Sequence, residues 1–189
     1  MEKRVEQIFA ESIIVKQETL KKNLPGIVKS AEMMIQSLQS GHKLFFCGNG
    51  GSAADSQHIA AEFVGRFQKE RKAWPAIALT TDTSALTALG NDYSYDIVFS
   101  RQLEALGQAG DVLVAITTSG NSKNVLEAVK KAKSMGIKTV GVTGGTGGQL
   151  AGLCDVTIIA ASATTARIQE SHLCVFHSIC ELVENALTK

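Results

Sequence analysis

The sequence predicts an α/β fold, a three-layer sandwich built around a five-stranded parallel sheet. Three observations predict it. Short apolar runs recur at residues 44–47, 75–79, 111–116, 137–142 and 155–160, and helical segments separate them. The run Val112-Leu113-Val114-Ala115-Ile116 is apolar at every position, as expected of a strand buried on both faces in a parallel sheet. The first and third runs break into GNGGS and TTSGNS, turns that place a helix N-terminus at the carboxyl end of a strand. Right-handed crossovers between such strands put helices on both faces of the sheet.

Taken in order, residues 2–22 read as an amphipathic helix, with Val5, Ile8, Phe9, Ile13 and Leu20 near one stripe. Asn23-Leu24-Pro25 reads as a break and restart, with Pro25 in the first turn of a second helix. That second helix carries Ile27, Ala31, Met34, Ile35 and Leu38, and Gly41 suits its C-terminal cap. Two extra N-terminal helices exceed what one sheet face needs, so they either bundle against another subunit or pack on their own sheet. After the strand at 44–47, Ser52 opens a helix. The second strand ends in Thr80-Thr81-Asp82, and Asp82 or Thr83 caps a short helix over 84–89 that Gly90-Asn91-Asp92 breaks. A helix over 95–106 precedes the third strand, and one over 123–134, closed by Gly136, precedes the fourth. A glycine-rich turn at 143–148 and a short helix at 149–153 lead to the fifth strand. A long helix over 165–187 ends the chain.

At 189 residues this is one domain, 1–189, with 1–41 as an N-terminal helical pair for oligomerisation and 42–189 as the α/β core. A net charge of +1 gives no broad field to attract nucleic acid or a membrane surface, and neither partner is expected. No apolar run approaches a membrane span, and the opening MEKRVEQIFAES lacks a signal peptide's apolar core. The four cysteines, Cys47, Cys154, Cys174 and Cys180, are scattered in apolar surroundings. They read as buried thiols in a reducing cytoplasm rather than as disulfides or metal ligands.

The chemistry concentrates in three places. GNGGS presents Gly50, Gly51 and Ser52 at a helix N-terminus, where unpaired N–H groups form an anion site. TTSGNS adds hydroxyls from Thr117, Thr118, Ser119 and Ser122, and both turns belong at the carboxyl edge where parallel sheets bind ligands. Either turn alone is an ordinary helix cap; after two strands of one sheet they form a phosphate pocket. The spacing matches neither a dinucleotide fingerprint nor a P-loop. Further along the first of these helices, His58 and Glu62 share one face, four residues apart. On the last helix, Gln169, Leu173 and His177 share another, while His172 lies off it and reads as structural or exposed. Spacing alone does not show that the two pairs meet.

The stretches GNGGSAADSQHIAAEFVGRF, ALGNDYSYDIVFSRQLEALG, GDVLVAITTSGNSKNVLEAVK and ARIQESHLCVFHSICELVE resemble the phosphoheptose isomerases of the sugar isomerase (SIS) domain superfamily, over essentially the whole chain. The resemblance implies a flavodoxin-like SIS fold and a homotetramer with active sites between subunits. It implies conversion of sedoheptulose 7-phosphate to D-glycero-D-manno-heptose 7-phosphate, the entry step to the heptose of bacterial lipopolysaccharide cores. It also implies site roles. Gly50, Gly51, Ser52, Thr117, Thr118, Ser119 and Ser122 would hold the phosphate, with Asn91 and Asp92 on the hydroxyl chain. Glu62 and His177 would be the acid/base pair, and His58, Glu62, Gln169 and His177 would bind zinc.

Two positions depart from the family pattern. Thr117 replaces a common serine, keeping the hydroxyl, and Ala166 stands where some members carry aspartate. A related adaptor, the DnaA initiator-associating protein, keeps the fold and tetramer but lacks the catalytic glutamate and histidine. Glu62 and His177 separate this chain from it. A SIS isomerase for another sugar phosphate is the remaining alternative.

Overall fold

The structure, a computed structural model, describes residues 1–188. Five parallel strands, β1 (Leu44–Gly48), β2 (Ala76–Ala78), β3 (Val112–Ile116), β4 (Lys138–Gly144) and β5 (Val156–Ala160), lie in the order β2-β1-β3-β4-β5. Six α-helices cover the sheet: α1 (Glu2–Gln39), α2 (Gly51–Val64), α3 (Thr83–Asp92), α4 (Val98–Leu106), α5 (Lys123–Ser134) and α6 (Thr165–Leu187). The expected five-stranded parallel sandwich is present.

Strand alternation divides the core. Leu44 and Phe46 point to the face covered by α1, α2 and α6, meeting Met34, Phe63 and Phe176. Phe45 and Cys47 point to the opposite face, covered by α4 and α5, meeting Phe99, Leu103 and Val129. Both faces of the central strands are therefore dry, which is why β1 and β3 are apolar throughout. From β1 the chain crosses to β2 on one side, while β3 lies on the other. The order reverses there, so the carboxyl ends of β1 and β3 frame the crevice where such sheets bind ligands.

The expected N-terminal helical pair is instead one helix, α1, with Pro25 inside it. An interior proline costs about 3 kcal/mol by removing a backbone bond and crowding the preceding turn. Contacts on either side of it offset that cost. The Asn23 side chain donates to the Ile159 carbonyl at 2.9 Å and accepts from the Ile159 N–H at 2.9 Å, and Thr19 Oγ1 accepts from the Ala161 N–H at 3.0 Å. β5 is an edge strand, and α1 supplies side chains where a sixth strand would have paired. Beyond Pro25, Ile27, Ala31 and Met34 bury against the sheet. The expected break at Asn23 is thus the point at which the helix is stapled to the sheet edge.

The first half of α1 differs. Of its predicted stripe, Val5, Phe9, Ile13 and Leu20 are exposed, with Phe9 66% exposed, and Ile8 is half-buried. Two further boundaries shift. α3 runs through Gly90-Asn91-Asp92 instead of stopping at residue 89, with Asp82 as N-cap accepting from the Ala85 N–H at 2.8 Å. Residues 95–97 form a 3-10 turn before α4. Among the described residues, no helix is long and apolar enough to cross a membrane.

Replacing Asn23 by Ala strands the half-buried N–H and carbonyl of Ile159 on β5. It is expected to destabilise the fold by about 1–3 kcal/mol, read as a fall in Tm in a thermal melt; an unchanged Tm would show that the edge needs no cap.

Candidate functional site

The GNGGS and TTSGNS turns meet at the β1/β3 crevice. Asn49 and Asn124 join them by a reciprocal amide pair: each donates Nδ2 to the other's Oδ1 at 2.9 Å. Tyr95 Oη adds a bond to Asn49 Oδ1 at 3.1 Å, bringing the segment after α3 to the same place. Gly50 sits at φ +56° as the N-cap of α2, a conformation open mainly to glycine, and makes no side-chain cap bond. Ser122, the N-cap of α5, makes none either. Ser52 and Ala53 N–H already donate to the Asn49 and Gly50 carbonyls and the Val125 N–H to Asn124 Oδ1, so an anion at either helix start would meet the N–H groups ahead of these. Across the crevice, Thr117 Oγ1 lies 2.8 Å from Ser122 Oγ and 3.4 Å from Ser119 Oγ, while Ser119 Oγ also accepts from the Asn121 N–H at 3.2 Å. Thr118 is half-buried beside them, and Ser52 is buried in the first turn of α2.

Helices α2 and α6 leave the same edge of the sheet and lie side by side in one direction. At their starts, the Gln169 amide rests on Gly51, where a Cβ would come within 2.0 Å of its Nε2. Two turns on, His58 Nε2 donates to Glu62 Oε1 at 3.0 Å, and the His58 and His177 rings meet edge to face at 5.3 Å. The donor atoms of His58, Glu62 and His177 all lie within 4.8 Å of one another. The structure thus joins the two pairs that the sequence left separate. Phe67, from the loop after α2, packs on His177 at 5.5 Å between centroids.

Such a trio could hold a metal ion. Two imidazoles and one carboxylate with a position left open are the donor set of catalytic rather than structural zinc. At zinc distances the donors would sit about 3.4 Å apart, so a small convergence of side chains suffices. Gln169, the fourth expected ligand, lies further up the same α6 face, against Gly51.

Asn91 and Asp92 occupy the exposed end of α3 and bond to each other at 2.8 Å. His172 is buried and structural, its Nε2 lying 2.9 Å from the Thr143 carbonyl, and burial lowers its pKa. All four cysteines are free. Burial pushes the Cys154 and Cys180 thiols up to about 12, so they stay protonated, whereas Cys174 is exposed, against expectation. Sequence reasoning missed Asn49, Asn124, Asp55 and Phe67. Asp55 lies between Gly51 and His58 on α2. Burial raises its pKa against a smaller opposing effect of His58, and one carboxyl oxygen is buried without a partner among the described residues. A polar side chain that matters through a tertiary partner leaves no spacing signal.

A ligand crevice at the switch point of a parallel sheet is shared by many α/β proteins, and the match of the SIS domain profile to residues 8–144 identifies this one as a SIS-domain protein. The chain is 58% identical to a phosphoheptose isomerase of Campylobacter concisus over 165 residues, covering 87% of each chain. Its structure superposes on that of a phosphoheptose isomerase from Neisseria gonorrhoeae with a TM-score of 0.92 and 49% identity, covering 97% and 98% of the two chains. One from Francisella tularensis gives 0.93 and 37%, covering 97% of each. The chain belongs to the phosphoheptose isomerase family of SIS-domain proteins and is an isomerase.

The Asn49–Asn124 pair yields a prediction. Asn124→Ala leaves the half-buried Asn49 Nδ2 without its acceptor and removes the side-chain acceptor of the buried Val125 N–H, an expected loss of about 1–3 kcal/mol in chemical denaturation. Tyr95→Phe, which removes one bond at an exposed residue, is expected to cost less than about 0.5 kcal/mol. Equal effects would contradict the amide pair as the tie between the turns.

Proposed function

We propose that the protein interconverts sedoheptulose 7-phosphate and D-glycero-D-manno-heptose 7-phosphate, feeding the heptose of a bacterial lipopolysaccharide core. The observation that carries this reading is the approach of Glu62 and His177 from separate helices, with donor atoms within 4.8 Å of each other. Family membership and the names of the similar proteins support it.

In this reading the phosphate is held by the N–H groups and hydroxyls of Gly50, Gly51, Ser52, Thr117, Thr118, Ser119 and Ser122. No lysine or arginine is needed, because two helix N-termini face the same point. Asn91 and Asp92 contact the hydroxyl chain, and Gln169 bridges the phosphate end and the reacting end. Ketose-to-aldose conversion moves one proton from C1 to C2 through an enediol, while the hydroxyl proton moves in the same sense, from O1 to O2. Glu62 takes the C1 proton and returns it to C2 as general base and then acid. His177 moves the proton between the two oxygens and assists ring opening. Phe67 limits the ring orientations open to His177. Zinc, held by His58, Glu62, Gln169 and His177, would supply polarisation of the carbonyl oxygen.

The reading extends to assembly. The outward apolar residues Val5, Phe9, Ile13 and Leu20 of α1 suit a helix that packs against another copy, and they favour the subunit-bundling use of the N-terminus within a homotetramer. Four free cysteines fit a cytoplasmic enzyme.

Glu62→Gln, at a partly exposed side chain, is expected to leave the melting temperature within a few degrees and to cut conversion by at least about 100-fold. Product formation from sedoheptulose 7-phosphate, followed by sugar analysis, checks this, and wild-type turnover in the variant would remove Glu62 as the base. His58→Gln is expected to weaken zinc binding by more than about 100-fold, since losing a ligand should exceed the roughly 10–100-fold cost of losing an outer partner. Titration against a chelating dye measures it, and unchanged affinity would exclude His58 as a ligand.

A further inference from the structure

Beyond the cluster lies a buried ion pair with no part in the chemistry above. Arg71 and Glu184 have side chains only 4% and 2% exposed, and Arg71 Nε donates to Glu184 Oε1 at 3.1 Å. A buried ion pair is not, on balance, a source of stability, because desolvation consumes most of its attraction. What this one holds is therefore informative.

Glu184 lies seven residues beyond His177 on α6, two turns along the same face and about 10 Å away by helix geometry. Its carboxylate gathers the loop that follows α2. Oε1 accepts from the Phe67 N–H at 3.0 Å, and Oε2 accepts from the N–H groups of Gln68 at 2.8 Å and Lys69 at 2.9 Å. Burial pushes the carboxyl pKa up, but these N–H groups and Arg71 outweigh it and hold the group below the usual carboxylate value, so it is ionised at neutral pH. Arg71 gathers the end of α2 itself. Nη2 donates to the Glu62 carbonyl at 2.7 Å, and Nη1 to the carbonyls of Phe63 at 3.0 Å and Gly65 at 3.1 Å. Its guanidinium stacks on Trp74 at 3.6 Å, which fixes the plane of the fork. One end of the clamp thus grips the backbone of Glu62. The other sits on the helix that carries His177 and aligns Phe67 against the His177 ring.

We propose that Arg71 and Glu184 are positioning residues, which lock the end of α2 to α6 so that His58, Glu62 and His177 converge on one point. This deepens the proposed isomerase reading and rests on it for the catalytic arm of its test. A clamp that served stability alone would need none of its bonds to end on Glu62 or its loop to end on His177.

The test uses the full chain with Glu184→Gln and Arg71→Lys, which keep shape while weakening the four-donor pattern and the fork. Both variants are first shown to be folded at the assay temperature. The expected result is a fall in kcat of roughly 10–100-fold with KM for sedoheptulose 7-phosphate changed less than about 3-fold, because the phosphate turns lie at the far end of α2. In the protein without substrate, zinc affinity should fall by roughly 10–100-fold. Phe67→Leu leaves the ion pair intact and covers the case in which the clamp variants do not fold; it should lower kcat at least about 3-fold with zinc affinity nearly unchanged. Folded clamp variants with wild-type kcat and zinc affinity overturn the proposal, as does a Phe67→Leu enzyme with wild-type kcat if the clamp variants do not fold. A wild-type protein that never turns over sedoheptulose 7-phosphate refutes the isomerase reading instead, and the zinc arm still decides the clamp.

Discussion

The side-by-side course of α2 and α6 is the constraint on which the rest of the molecule depends. Both helices descend from the carboxyl edge of one sheet, and three contacts mark their path: Gly51 with Gln169, Glu62 and His58 with His177, and the loop after α2 with Glu184. Each needs the others. Without Gly51 the Gln169 amide has no seat, and without that close approach the helices would not bring an imidazole to a carboxylate two turns later. The sheet supplies the common origin. Its order reverses between β1 and β3, so the α2 N-terminus opens onto the same crevice as the α5 N-terminus.

The polar groups near this seam are paired with few exceptions, and the pairing is what makes the arrangement specific. Apolar packing on the α2/α6 face, from Phe46, Phe63, Phe176 and Ile179, supplies most of the favourable free energy but tolerates small slides. Hydrogen-bonded buried groups do not, because a shift strands a donor or acceptor at a cost of about 1–3 kcal/mol each. Asn49 with Asn124, Asn23 with the β5 edge, and Glu184 with three N–H groups each convert a soft contact into a fixed one. Directional bonds thus surround a site whose own members, His58 and Glu62, remain partly open to solvent.

Much of the fold was legible in the sequence, and for physical reasons. β1 and β3 are buried on both faces, so every residue in them is apolar and the signal is undiluted. The GNGGS and TTSGNS turns were readable because the backbone there demands glycine and small hydroxyl residues. Pro25 misled because local rules treat proline as a break, whereas Asn23 and Thr19 bind a strand more than 130 residues away in the chain. Gly90 misled likewise, since helix α3 absorbs it. In the site, His58/Glu62 and Gln169/His177 could each be seen as a face, but their meeting is tertiary. Arg71 and its neighbours, in RFQKERKAW, look like a solvated charged loop until Glu184 arrives from the last helix.

The central claim is that Glu62 exchanges a carbon-bound proton of the substrate while His177 serves the oxygens. Isomerisation in deuterated water, followed by NMR of the sugar carbons, tests it directly. The account predicts deuterium at C2 of the aldose and exchange at C1 of sedoheptulose 7-phosphate with the wild-type protein, and neither with Glu62→Gln. Exchange at the wild-type rate in Glu62→Gln would contradict it.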